Sequence, residues 1–270
     1  MNLHLTQSTL FKLYLDPGYR LAHRFDPEAF AAHFGLTGED ADVITNVSLD
    51  EIADFAASLH RKRLLFLESS LPTSYGWVHD NATAIISEFL STTSVSRSTG
   101  TADLPARFLS FLRESSHFYG SLPEALPEVG ELELMLTDTR RNQRPAEPDG
   151  GDPGTFSWED VVWRPESTLV RAFSTDPLPI VLKKREMHEP GEATNILVAP
   201  ATGDAAPTVL RLARAAVDVL DALTEPQSAR DLLGRCQRRG QAISTGAVEK
   251  LLTGLIRARA VRRLRVSAAA

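Results

Sequence analysis

The stretch Thr208–Val266, TVLRLARAAVDVLDALTEPQSARDLLGRCQRRGQAISTGAVEKLLTGLIRARAVRRLRV, decides the fold. Thr208 to Leu212 alternates and is rich in residues that suit a pleated surface, so it reads as a strand. It feeds without a break into Ala213 to Leu223, where Val217, Leu220 and Leu223 recur at helical spacing. After Pro226, Ser228 to Arg239 and Ser244 to Arg259 read as two further helices, with Ser244 capping the second. Val261 to Val266 reads as a closing strand, the wing. A strand, three helices and a wing make a small winged-helix-like module that reads either peptide or nucleic acid.

Working outward, the chain upstream of this module is β-rich from Phe156. Glu159–Trp163, Thr168–Phe173, Ile180–Leu182 and Asn195–Ala199 read as strands separated by Pro-containing turns, and they lead into Thr208–Leu212. The module is therefore the end of a mixed domain spanning residues 155–270. Before it, residues 139–154 hold three prolines, three glycines and mixed charges, the composition of a linker.

Residues 1–138 read as an all-helical domain of six or seven helices, with the caps giving the clearest signal. Asp16-Pro17 and Asp26-Pro27 each set a capping carboxylate before a proline at the first helical position. Gly35 is placed as a left-handed C-terminal cap, with Leu36 packing back on the helix it ends. Ser48 and Glu51 form a capping box that opens a helix with the face Ile52, Phe55, Ala56 and Leu59, and Pro72 stops it. Within it Leu64-Leu65-Phe66-Leu67 is apolar all round, which predicts a position in the middle of the helical layer. One amphipathic helix carries Trp77, Val78, Ile85, Ile86, Phe89 and Leu90. Ser91–Thr101 reads as a surface loop. Helices led by Pro105 and Pro127 follow, burying Phe108, Leu109, Phe111 and Leu112, then Val129, Leu132, Met135 and Leu136. The fold class is α+β.

Charge is divided unevenly between the two halves. Residues 208–270 carry twelve Arg/Lys against five Asp/Glu, a net of +7, which leaves about −13 of the formal −6 on residues 1–207. The single cysteine, Cys236, excludes an internal disulfide and a multi-cysteine zinc site, and reads as a buried apolar side chain on a helix. Lys12 and Asp16 interrupt the only N-terminal apolar run, so the expectation is a cytoplasmic protein without a membrane span.

Chemistry is sparse. No two histidines stand at metal-ligand spacing, and no His-Glu-x-x-His, Gly-x-Ser-x-Gly, Gly-x-Gly-x-x-Gly or Walker loop occurs. His79-Asp80 is the only adjacent His-carboxylate pair. Nothing in the residues calls for a catalyst or a metal in this chain. The basic cluster His60, Arg61, Lys62 and Arg63 is either a solvated face or a contact to an acidic partner. Nucleic acid is a rival reading for the module, since Arg257, Arg259, Arg262, Arg263 and Arg265 are basic enough to meet phosphates. Against it, Val248, Leu251, Leu252, Leu255 and Ile256 are needed for core, and the rest of that helix holds few residues suited to base readout.

The segments TVLRLARAAVDVLDALTEPQSARDLLGRC and VEKLLTGLIRARAVRRL resemble the RiPP recognition element, the winged-helix peptide-binding domain of natural-product peptide pathways. The N-terminal segments LYLDPGYRLAHRFDPEAFAAHFGLTGEDADVI, SLDEIADFAASLHRKRLLFLESSLPTS and LPARFLSFLRESSHFYGSLPEALPEVGELELML resemble the helical domain of partner proteins that accompany multinuclear non-heme iron-dependent oxidative enzymes. Together these stretches cover most of the chain. The resemblance implies a division of labour in a heterodimer. The iron and the oxidative chemistry would belong to the partner enzyme, and this chain, without a cofactor of its own, would hold the leader of a ribosomally made precursor peptide.

A leader can add as a strand to an exposed sheet edge while alternate side chains enter a groove beside a helix. The candidates are Thr208, Val209, Leu210, Arg211 and Leu212 for the edge, and Leu251 and Leu255 for the groove, although both leucines also suit a core. His60, Arg61 and Arg63 are the candidates for docking on the enzyme.

Overall fold

The computed structural model describes residues 2–93, 102–115, 122–141, 156–189, 191–200, 205–238 and 244–265. The chain is α+β, and among these residues it forms thirteen helices and two antiparallel three-stranded sheets. It divides into two compact units, residues 1–118 and 119–270.

The described part of the first unit is helical: α1 (Leu3–Leu15), α2 (Pro17–Phe25), α3 (Pro27–His33), α4 (Glu39–Thr45), α5 (Leu49–Ser70), α6 (Pro72–Asn81), α7 (Thr83–Thr92) and α8 (Leu104–Ser115). Its starts are chemical. Asp16 accepts the Gly18 N–H at 2.7 Å, Asp26 that of Ala29 at 2.9 Å, and Ser48 that of Glu51 at 3.3 Å. Gly35 sits at φ +69°, so the Gly35 N–H reaches Ala32 O at 2.9 Å and the Leu36 N–H reaches Ala31 O at 3.1 Å. That pair of bonds closes the last turn of α3 as the glycine position predicts, and Leu36 is buried against it. One core gathers Leu13, Phe30, Ala31, Leu36, Ile44 and Ile52. Further along, Phe89 of α7 and Phe108 of α8 pack with ring centroids 5.0 Å apart.

Two expectations for this unit are corrected. The Trp77–Leu90 helix is two, α6 and α7, because Ala82 leaves helical geometry between them (φ −151°, ψ 47°) and the Thr83 hydroxyl donates to His79 O at 2.6 Å. Of Leu64 to Leu67 only Leu67 is fully buried, while Leu65 is 54% exposed. At 3.6 residues per turn, four consecutive side chains point all round the helix, and α5 has a solvent face here. The loop expected at Ser91–Thr101 lies outside the described residues beyond Thr93.

The second unit contains α9 (Leu126–Arg141), β1 (Val161–Trp163), β2 (Leu169–Phe173), α10 (Leu178–Val181), β3 (Thr194–Ala199), β4 (Thr208–Leu212), α11 (Arg214–Asp221), β5 (Gln227–Ser228), α12 (Ala229–Arg238), α13 (Thr245–Arg257) and β6 (Arg262–Leu264). The order strand, three helices, closing strand stands as the pattern at 208–266 predicts. Ser244 caps α13 through the Ala247 N–H at 3.3 Å, and Ser228 caps α12 through the Asp231 N–H at 3.0 Å.

One sheet runs β2-β3-β4, with Leu197 opposite Leu210 and Ile196 opposite Arg211. Alternation splits its side chains between two cores. Leu197, Ala199, Val170, Leu210 and Leu212 face the three-helix module, whose core holds Val219, Leu220, Leu232, Cys236, Val248, Leu252 and Leu255. Ile196, Val198, Phe173 and Val209 face Leu132 and Met135 of α9, together with Leu178 and Val181 of α10. The other sheet runs β5-β1-β6.

Four expectations change here. The helix led by Pro127 belongs to the second unit, not to a first domain ending at 138, because its apolar face covers the back of β2-β3. Of the expected linker 139–154, residues 139–141 complete α9 and the rest lies outside the described residues. Ile180–Leu182 is no strand: Pro177 and Pro179 suit the first turn of a helix, and just past the end of α10 Lys183 adopts φ +55°. Finally, β1 leaves the other strands and pairs with the wing β6, Val162 opposite Arg263.

Candidate functional site

Strand β4 is the terminal strand of its sheet, so among the described residues its outer edge pairs with no strand. Alternate residues of an edge strand turn their N–H and C=O groups outward, which makes β4 a template for an extended chain. All five of its residues stay partly or largely exposed. Leu210 and Leu212 lean on the module core with part of their surface open, and so does Leu251 of α13. Leu255 is different. It is 2% exposed within that core, so it supports the site from beneath and cannot line a groove.

Arg211 lies on the face towards α9, where its Nε donates to Asp176 Oδ2 at 2.6 Å. Asp176 is itself fixed, since its other carboxylate oxygen accepts the Leu178 N–H at 3.0 Å and its carbonyl accepts from Arg185. The Arg211 charge is thereby partly neutralised within the chain.

The opposite edge of the sheet, β2, is anchored to α9. Glu128 of α9 accepts the N–H groups of Ser174 at 2.7 Å and Thr175 at 2.8 Å, and the Thr175 hydroxyl at 3.0 Å. Burial raises the Glu128 carboxyl pKa, but these donors outweigh it and hold the group below its ordinary value. Glu131, nearly buried, pairs with Arg171 of β2 at 2.6 Å. These supports were not anticipated from the sequence. The signal was there in Gly130-Glu131-Leu132-Glu133, where carboxylates alternate with core residues on a helix and need partners.

The three docking candidates do not act together. Arg63 is 3% exposed, and its Nη1 and Nη2 donate to Leu90 O at 3.3 Å and Thr93 O at 2.8 Å, closing the C-terminus of α7. It is a structural arginine and is withdrawn as a docking residue. His60 is half-buried, and burial, then Arg63 and Arg20, lower its pKa and favour the neutral ring. Arg61 is exposed.

In the wing, the Arg263 side chain is 7% exposed and lies 3.8 Å from the buried carboxylate of Asp160. It is spent on the fold. The exposed face of α13 presents Thr245, Gly246, Ala247, Glu249, Lys250, Gly254 and Arg257, mostly small, with one acidic and two basic residues. Among the described residues no group of three His, Cys, Asp or Glu side chains stands ready to hold a metal, and no helix is long and apolar enough to cross a membrane. His79 and Asp80 meet at 3.1 Å on the surface.

No protein-family model matches the chain, and no curated protein is significantly similar to it.

Proposed function

We propose that this chain is a non-catalytic partner subunit that binds the leader of a ribosomally made precursor peptide and presents it to a multinuclear non-heme iron oxidative enzyme. The observation that carries the reading is β4: a terminal strand whose sheet is backed by α9, leading directly into a winged-helix-like module. The leader adds to Thr208–Leu212 through main-chain hydrogen bonds, and its alternate side chains pack beside Leu210, Leu212 and Leu251. Leu255 backs this surface and Arg211 borders it. The first unit docks on the enzyme, with Arg61 among the contacts, and the heterodimer works in the cytoplasm. The iron resides in the enzyme and this chain carries no cofactor.

The second reading is a winged-helix DNA-binding regulator, which the order of elements favours. The buried Arg263 and the exposed face of α13, mostly small side chains with few suited to base readout, weigh against it. Two experiments test the proposal. Co-expression with an iron oxidative enzyme encoded beside this chain is expected to give a complex that co-purifies. A gel shift with duplex DNA at moderate salt is expected to show none. A monomer that never co-purifies and shifts DNA overturns the proposal.

A further inference from the structure

Helix α2 shows solvent its apolar side. A surface helix ordinarily buries its apolar stripe and exposes its polar one. Here Arg20 and His23 go inward: Arg20 donates to Leu13 O at 2.7 Å and Tyr14 O at 3.2 Å, closing α1, and His23 Nε2 donates to Ile44 O of α4 at 2.7 Å. Tyr19 goes in with them, edge-on to Phe30 and Phe34. Leu21 and Phe25, one turn apart on the opposite side, are left 69% and 93% exposed. A lone exposed apolar side chain is ordinary, but two of this size on one ridge make a surface that a partner can cover.

Charge names the occupant. Residues 1–54 hold nine carboxylates and three Lys/Arg, and all three cations are engaged. Arg20 holds its carbonyls, Lys12 lies 4.1 Å over the Phe34 ring, and Arg24 meets Asp50 at 3.6 Å. That last pair also sets the first turn of α5 beside Leu21 and Phe25, which Arg24 adjoins on α2. Glu51 and Asp54 of α5, and Glu28 three residues past Phe25, are exposed and make no ion pair or side-chain hydrogen bond among the described residues. The uncommitted charge at this face is negative. We infer that the Leu21–Phe25 face of α2 is a docking surface for a basic amphipathic helix of a partner protein. Apolar side chains at i and i+4 form a ridge that seats in the groove of a crossing helix. That helix carries an apolar row for Leu21 and Phe25, with Lys or Arg on its flanks for Glu28, Asp50, Glu51 and Asp54. The same carboxylates disfavour a second copy of this face, which would set them against one another, and disfavour nucleic acid or an anionic membrane. The inference rests neither on β4 nor on Arg61, and it does not require the partner to be an iron enzyme.

The test uses the full chain and fluorescein-labelled peptides of about 18 residues, long enough to form a helix on the surface. One has leucines at helical spacing on a lysine background, one has the same composition with the leucines spread round the helix, and one has glutamate in place of every lysine of the first. The first is expected to bind, more tightly at low salt, and a carbodiimide, which joins lysine to carboxylate, is expected to link it to Glu28, Asp50, Glu51 or Asp54. Phe25→Ser is expected to weaken it on the order of tenfold and Asp54→Lys on the order of threefold. Links mapped on the unaltered chain decide the matter if either variant folds poorly. Equal binding of the first two peptides, binding of the glutamate peptide as tightly as the first, unchanged affinity in Phe25→Ser, links confined to other carboxylates, a dimer of the unaltered chain that Phe25→Ser dissolves, or no binding at all overturns the inference.

Discussion

Glu131 of α9 and Arg171 of β2 meet at 2.6 Å across the back of the β2-β3-β4 sheet, and the carboxylate is nearly buried. Their pairing, with the Glu128 bonds beside it, makes α9 part of the β-containing unit. Removing α9 uncovers Phe173, Ile196 and Val198, all within 3% of full burial. A fragment starting at residue 156 is therefore expected to aggregate, and one starting at 122 to fold. In the full chain Leu132→Ala is expected to cost about 2–5 kcal/mol. Urea unfolding followed by the fluorescence of Trp158 and Trp163 measures it, with Trp77 replaced by Phe so that only this unit reports.

Glu128 gives the second unit an acid-side weakness. Its folded pKa lies below the ordinary 4.5, so its contribution is complete above about that pH and is lost as pH falls through the depressed value. The donors are partly open to solvent, so the contribution is about 1 kcal/mol after screening. Glu128→Gln is expected to remove it, leaving a Tm that falls less between pH 6 and pH 3 than in the unaltered chain.

Arg63 and Arg61 separate stability from docking. Arg63→Met leaves Leu90 O and Thr93 O without their buried donors and is expected to destabilise the first unit by about 1–3 kcal/mol. Arg61→Glu is expected to leave the melting curve unchanged and to reduce co-purification of the iron enzyme. A fall in Tm for Arg61→Glu contradicts its assignment to the surface.

Much of this fold is legible in local sequence, because caps and turns are decided within four residues. Asp16, Asp26, Ser48 and Ser244 cap the helices they precede, and Gly35 adopts the positive φ its position demands. What escapes is set by pairing at a distance. The Pro127 helix reads correctly as a helix, but its partners Phe173, Ile196 and Val198 lie 40 or more residues ahead in the chain. Glu159–Trp163 reads correctly as a strand, but its neighbour β6 lies about a hundred residues on, and no local pattern names it. Ile180–Leu182 departs for another reason: Ile180 and Val181 suit a strand by composition, but the prolines at 177 and 179 start a helical turn that takes them in.

For the site, the edge strand is legible because Thr208–Leu212 alternates, and Leu255 is not, because the same helical spacing serves core and groove. Arg63 shows the same limit. A basic run in a helix does not say which member turns inward, and here the one that does is aimed at the carbonyls of α7.

The buried Asp160–Arg263 pair discriminates between peptide and DNA readings of the wing. Arg263→Ala leaves Asp160 as an uncompensated buried charge and is expected to destabilise the unit by about 3–5 kcal/mol. If Arg263 met phosphate instead, the substitution would leave stability intact and lower the salt dependence of duplex binding.

The most direct measurement of the central claim is amide hydrogen exchange of the full chain with and without the precursor's leader peptide. Strand addition predicts slowed exchange at alternate residues of Thr208–Leu212, the outward N–H groups of the open edge, with the inward ones unchanged. Saturating leader that leaves every amide of Thr208–Leu212 exchanging at its free rate contradicts it.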